Sequence, residues 1–345
     1  MCEHYINLYN PKLGEKVLPV CFPPPIKAYL PISILSNIAT ANSKNYNWIM
    51  YNFIQIYKYI DNDKVETFPI QPFMYFDQAS ISCTCIDQTV MDINPINLID
   101  NIINWINKMN YVVVYVNEGI LPNTRLYQRK DFLHSQFIFG YDKSNSIFKV
   151  LNFSKENNDM SILDVSFKDL SYAFSHSSTS ELYKNEKVSQ SLKGKEFCIQ
   201  LLKYKLEDKS YTEYELNLDI IKNSIRQYIH GENTSYDTNY FTGFIQGSWG
   251  INVYEDITGM LKREIIDPRI FCLLYEHKFF MKERLLLFDK LLGLEFDNVI
   301  DKASILKGLS FKYMFNKNIK AIDKMIQILH ELKEEEIECL AKLYT

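Results

Sequence analysis

The sequence predicts an α+β protein with a mainly helical C-terminal part, and three observations carry that reading. Tyr111 to Val116 is a short β-branched and aromatic run, followed by two further apolar runs, 134–141 and 146–153, around the polar turn Asp142-Lys-Ser-Asn145. Apolar residues recur at helical spacing both before this block and beyond it. The chain has 345 residues, 47% hydrophobic and 23% charged, which suits a folded protein of two domains rather than a disordered or fibrous one.

The elements follow in order. Residues 1–27 hold Pro11, Pro19 and Pro23-Pro24-Pro25, a density that denies a continuous helix and predicts extended chain. A helix is expected from near residue 28, with Leu30, Ile34, Leu35 and Ile38 on its apolar face and Pro31 tolerated in its first turn. A second helical pattern carries Trp48, Ile49, Phe53, Ile56 and Ile60; a third opens at Asn94-Pro95 and carries Ile99, Ile103, Ile106 and Met109. The first 110 residues are thus expected to be mainly helical. The runs 134–141 and 146–153 read as a β-hairpin beside the strand 111–116. Residues 175–195 are polar and rich in Ser and Lys, so the expected division is a catalytic domain 1–175, a linker 176–195 and a mainly helical domain 196–345. Helices are expected in the last over about 213–230, 267–292 and 319–343, with an acidic solvated face near the end.

Charge and cysteine usage narrow the function classes. The formal net charge is −4, with no basic stripe, so a nucleic-acid partner is not expected. No apolar run reaches the roughly 18 residues that span a bilayer, and the N-terminus lacks a secretory pattern. The expectation is a cytoplasmic protein without a membrane partner, its seven scattered cysteines reduced. No metal signature and no Gly-rich phosphate loop is present, and Cys83-Thr-Cys85 is the single close Cys pair; no metal or cofactor is expected.

The hairpin holds the candidate chemistry. With Asp142 to Asn145 as its turn, Asn152 falls within about two residues of the partner of His134 on one strand face. A carboxamide there can orient an imidazole and leave its other nitrogen as a base; an ordinary strand histidine beside a polar neighbour has the same spacing. A nucleophile for such a base would sit at the start of a helix, where backbone N–H groups stabilise a thiolate and an oxyanion, which directs attention to residue 28.

These residues carry a resemblance. His134-Ser-Gln-Phe-Ile-Phe-Gly-Tyr-Asp142 with Phe148-Lys-Val-Leu-Asn152 resembles the His and Asn/Asp strands of papain-like folds of the bacteriocin-leader-peptidase type, and more narrowly the butirosin-H-like proteins. The strand 111–116, the segment Gly119-Ile-Leu-Pro122 and Tyr127 stand in the family's order, and the amide-forming members that serve closthioamide biosynthesis are similar. The resemblance implies a papain-like fold and a Cys-His-Asn triad, with the nucleophile opening the first helix. Ala28-Tyr-Leu-Pro-Ile-Ser fits that motif except that Ala stands where the family has Cys. Three explanations stay open: an engineered replacement, a natural pseudoenzyme, or Cys21 as the nucleophile. Phe22 stands where proteases of this type carry an oxyanion-hole Gln, so Gln55, Gln71 and Gln136 are alternatives for the second donor. The C-terminal segments from Ser248-Trp-Gly and from Asp267-Pro-Arg to Arg284 resemble the family's helical extension. There His277 and Arg284, seven apart, share a helix face that either binds a polar group or is structural.

The implied activity is amide-forming acyl transfer in natural-product biosynthesis. An acyl group would pass from a carrier-protein thioester to the Cys and then to an amine acceptor such as a diamine. A cysteine peptidase on the same triad and a catalytically dead binding module are the alternatives.

Overall fold

The computed structural model describes residues 5–6, 14–41, 46–59, 71–72, 81–87, 91–177, 198–204, 216–235 and 246–345. The expected α+β class holds: an antiparallel sheet and a helical C-terminal part. The expected linker 176–195 lies outside the described residues except at its first two positions. The compact units are interleaved in sequence: one comprises 1–25, 33–43 and 79–212, the other 26–32, 44–78 and 213–345. These units are not sequential blocks like the expected 1–175 and 196–345, and the strand pairings of the second unit link segments far apart in the chain.

The first unit is built on a sheet ordered β10-β9-β8-β7-β11-β6, all antiparallel. Its strands are β6 (Ile81–Asp87), β7 (Tyr111–Asn117), β8 (Leu133–Asp142), β9 (Ile147–Phe153), β10 (Met160–Ser166) and β11 (Cys198–Tyr204). β2 (Glu15–Val17) pairs with the far end of β8, and β1 (Tyr5–Ile6) pairs with β3 (Val20–Cys21). β7 is buried along its whole length, as an uninterrupted run of apolar residues demands in the middle of a covered sheet. Val112, Val114, Val116, Phe137, Ile138, Phe148, Val150 and Leu151 are wholly enclosed, each contributing roughly 1.5–3 kcal/mol of transfer free energy. Helices α3 (Leu98–Asn107) and α4 (Phe167–Ser175) pack on β7; α3 turns Leu98, Ile102, Ile103 and Ile106 inward. α4 starts at Ser166, whose Oγ accepts from the Asp169 N–H at 3.0 Å and donates to the Asp169 carboxylate at 2.6 Å. The hairpin turn follows Asp142, whose carboxylate accepts from the N–H groups of Ser144 and Asn145 and from both their side chains. Those donors pull its carboxyl down to about 2.

The first 110 residues hold more strand than the helical period suggested. α1 (Leu30–Thr40) and α3 fall where expected. The second helical pattern yields only α2 (Tyr46–Tyr51): Phe53 turns left-handed at φ 59° and the chain leaves as β4 (Ile56–Tyr59).

In the second unit β4 lies between β5 (Gln71–Pro72) and β12 (Gly247–Trp249), with Tyr57 stacked on Trp249 at 4.9 Å. The pairing of β4 with a strand some 190 residues later ties segment 44–78 to the C-terminal part. The remaining elements are α5 (Leu218–Ile229), α6 (Val253–Lys262), α7 (Pro268–Phe288), α8 (Lys290–Glu295), α9 (Asp297–Asn316) and α10 (Lys320–Ala341). Asp267 caps α7 by accepting from the Arg269 N–H, with Pro268 in the first turn, as the motif Asp-Pro-Arg leads one to expect. Gly250, at φ 54°, lies so close to Tyr228 that a Cβ would meet the Tyr228 carbonyl oxygen at 2.2 Å.

α7 carries the polar core of this unit. Lys278 and Glu336 form a fully buried ion pair at 2.6 Å; the Lys278 ammonium also donates to Tyr228 Oη at 2.9 Å and His277 Nδ1 at 3.0 Å. Tyr254 donates to the second Glu336 oxygen at 2.6 Å, and Tyr228 reaches it at 3.2 Å. Burial and the carboxylate push both phenols well above their usual range, while burial followed by Lys278 pushes His277 well below its own. His277 is therefore neutral and donates from Nε2 to the Ile54 carbonyl at 2.8 Å. Arg284 donates to the carbonyls of Ile49, Met50 and Asn52, the orphan acceptors at the end of α2. The shared face of His277 and Arg284 is thus filled by the chain's own backbone, which decides for the structural alternative.

Candidate active site

In the first unit, β7 and β8 run antiparallel with Val116 opposite His134. The chain leaves β7 through Glu118, and the turn that follows is tightly specified. Asn117 Oδ1 accepts from the N–H groups of Gly119 (3.0 Å) and Phe132 (3.2 Å), and Thr124 donates to the carbonyls of Glu118 (3.1 Å) and Leu121 (2.8 Å). At Gly119 a Cβ would stand 2.3 Å from the Lys130 carbonyl oxygen, so no larger residue fits without moving backbone. This turn fixes a fully buried Glu118, whose Oε2 hydrogen-bonds His134 Nδ1. The other carboxylate oxygen, Oε1, is buried without a partner.

A carboxylate on Nδ1 holds the proton there, sets the ring orientation and leaves Nε2 with its lone pair, the arrangement of an imidazole base. The His134 side chain is 22% exposed while that of Glu118 is 1% exposed, so the ring is accessible and its anchor is not.

Asn152 is placed differently from the expected pairing. It lies on the neighbouring strand, fully buried, but its Nδ2 donates to Gln136 Oε1 at 2.7 Å and its Oδ1 accepts from the Phe153 N–H at 2.6 Å. The carboxamide is committed to Gln136, two residues along β8 from His134, and the orienting contact comes across the β7 side from Glu118. A signal for Glu118 did exist in the sequence: a lone carboxylate closes the apolar run Tyr111 to Val116, at the position antiparallel pairing sets beside the start of the next strand.

Ala28 belongs to the second unit, two residues ahead of α1. It is 9% exposed, and its N–H donates to Glu276 Oε2 at 3.1 Å; the preceding N–H, of Lys27, donates to Glu276 Oε1 at 3.0 Å. Burial pushes the Glu276 carboxyl up to about 7, against the pull of those two N–H groups and of Lys307. Cys21, in β3, is 0% exposed, and its Sγ donates to the Pro23 carbonyl at 3.8 Å, a position that hides a thiol from substrates. Of the three glutamines, Gln136 is bonded to Asn152 with its Nε2 unpartnered, and Gln55 is buried with both amide atoms unpartnered; the Gln71 side chain lies outside the described residues.

Among the described residues no group of three or more His, Cys, Asp or Glu is arranged to hold a metal ion, and no helix is long and apolar enough to cross a membrane. No family model and no curated protein matches this chain.

Proposed function

We propose that this chain is a cysteine-type acyltransferase of papain-like fold in which residue 28 is the nucleophile position, occupied here by Ala, and His134 is the base. The observation that supports this best is the anchoring of His134 Nδ1 by a buried carboxylate, an expensive arrangement that an ordinary strand histidine does not need. With Cys at position 28, Nε2 of His134 takes the thiol proton and the thiolate attacks a carrier-protein thioester. An amine, deprotonated by the same imidazole, then attacks the acyl-enzyme to give an amide in a natural-product pathway. Glu118, rather than Asn152, is the orienting member.

The test is intact-mass analysis of the Ala28→Cys chain incubated with an acyl N-acetylcysteamine thioester. One acyl adduct is expected, mapping to position 28. Three competing thiols are disfavoured: those of Cys83 and Cys339 are both pushed up to about 11, and Cys21 is enclosed; the exposed Cys85 is told apart by mapping the adduct. An adduct that maps to Cys21 instead moves the nucleophile there, and none at all sinks the reading. Adding an amine to the adduct separates synthesis from hydrolysis, since an amide product identifies a transferase and free acid a peptidase-like hydrolase.

The orienting role has its own test. In the Ala28→Cys background, Glu118→Ala is expected to slow acylation by roughly 10²-fold, because the ring loses its tautomer and aim. Asn152→Ala should cost under about fivefold once folding is verified, since the lost hydrogen bond serves Gln136. The reverse order in stopped-flow acylation rates would return the orienting role to Asn152.

A further inference from the structure

The formal charge of −4 over the whole chain conceals one strongly basic segment. Residues 302–324 hold six lysines against a single acid, Asp323, across the end of α9 and the start of α10. Two of the six are engaged with neighbouring helices: Lys302 pairs with Glu335 at 2.9 Å, and Lys307 lies over the Tyr275 ring at 4.8 Å. Lys312, Lys317, Lys320 and Lys324 are exposed, and none of them is paired with a carboxylate among the described residues.

Apolar side chains stand out at the same corner. Phe311, Met314 and Phe315, at i, i+3 and i+4 on one face of α9, are 44%, 46% and 89% exposed, and Ile319 in the following turn is 62% exposed. Ser310 and Tyr313 take the buried side of the helix. Residues 314 to 320 are exposed without a break, so the corner is a convex tip rather than a groove. Its backbone is well fixed. Lys317 ends α9 left-handed at φ 50°, Asn316 Oδ1 accepts from the Asn318 N–H at 3.2 Å, and Asn318 Oδ1 accepts from the Lys320 N–H at 3.1 Å.

We propose that this corner seats the protein on an anionic membrane surface, with Phe315 and Ile319 entering the boundary between headgroups and acyl chains and the four exposed lysines meeting lipid phosphates. Three features favour a bilayer over other occupants. Lysines around exposed aromatic and aliphatic side chains are the composition of an interfacial anchor. A layer of mobile lipids moulds itself to a convex tip, whereas a protein partner would need a matching hollow. A second copy docked about a two-fold axis would set these lysines against their own counterparts, and like charges oppose that. The contact is peripheral, since no described helix is long and apolar enough to cross a membrane. It depends neither on residue 28 nor on any chemistry at His134.

The experiment sediments the full chain with sucrose-loaded vesicles of phosphatidylcholine, either alone or with about one third phosphatidylglycerol. Binding is expected to the anionic vesicles only, and it should collapse between about 0.1 and about 0.5 M salt as the lysines are screened. Lys312→Gln/Lys320→Gln/Lys324→Gln should weaken it by about 10²-fold, at roughly fivefold per lysine. Phe315→Ser/Ile319→Ser should weaken it by about tenfold or more and leave the salt dependence intact. Leu291→Ser, which removes a side chain 71% exposed on α8, should leave binding unchanged. All are surface changes, and circular dichroism checks that each chain folds. The emission of Phe315→Trp, with that of the parent subtracted, should shift to the blue with anionic vesicles alone. No binding to the anionic vesicles overturns the proposal and leaves the corner to an acidic protein partner. Binding that the lysine variant loses but Phe315→Ser/Ile319→Ser keeps also overturns it, because that is adsorption of a polycation without insertion. Sedimentation equilibrium of the lipid-free chain completes the test: a dimer that Phe315→Ser/Ile319→Ser dissociates would give the corner to a second copy instead.

Discussion

In the Ala28→Cys background, His134→Ala is expected to lower the acyl-transfer rate by about 10²–10⁴-fold, the usual worth of a positioned base. In the proposed mechanism the imidazole takes the thiol proton and later that of the attacking amine, so both halves of that reaction should slow. Removing the ring also leaves Glu118 buried with neither carboxylate oxygen bonded, so a stability loss is expected beside the kinetic one. Circular dichroism and urea titration must therefore accompany the rates. A folded His134→Ala chain that transfers acyl groups at near the parent rate would make the strand histidine a bystander and favour a binding module.

The largest stability effect is expected at Lys278. Lys278→Met strands a Glu336 carboxylate at 0% exposure with two phenols as its remaining donors, and it should destabilise the chain by about 3–5 kcal/mol. The double variant Lys278→Met/Glu336→Leu removes both charges and should recover most of that loss, because two desolvation penalties disappear together. Urea unfolding of the two variants measures the difference. A Lys278→Met midpoint within the error of the parent would mean that Glu336 reaches solvent or a proton by some other route.

The parts of the fold that can be read from sequence are those whose partners are near in the chain. The hairpin 134–153 is legible because its turn residues and alternating strands lie within twenty positions, and α1 and α3 because their apolar stripes are self-contained. β4 is not: Ile56 continues a helical period from Trp48, and what ends that helix is a left-handed Phe53 beside carbonyls held by Arg284, more than two hundred residues away. The candidate base His134 is legible in the same local way, as a histidine at the start of a hairpin strand. Spacing within the hairpin favours Asn152 as its partner, whereas the anchoring carboxylate arrives across the other side of β8 from the end of β7. Glu276 leaves no local trace at all; its meaning depends on two backbone amides about 250 residues earlier.

The interleaving of the two units has a consequence for how this protein can be inherited and dissected. The chain changes unit at 25/26, 32/33, 43/44, 78/79 and 212/213, so no single cut yields either unit entire. A fragment ending near residue 195 would keep His134 and Glu118 but leave β4 without β12 and the end of α2 without the guanidinium that satisfies its carbonyls. The helical part therefore cannot be shed, swapped or appended as an independent cassette. A lesion in its core, such as one at Lys278, is also a lesion in the unit that carries Ala28.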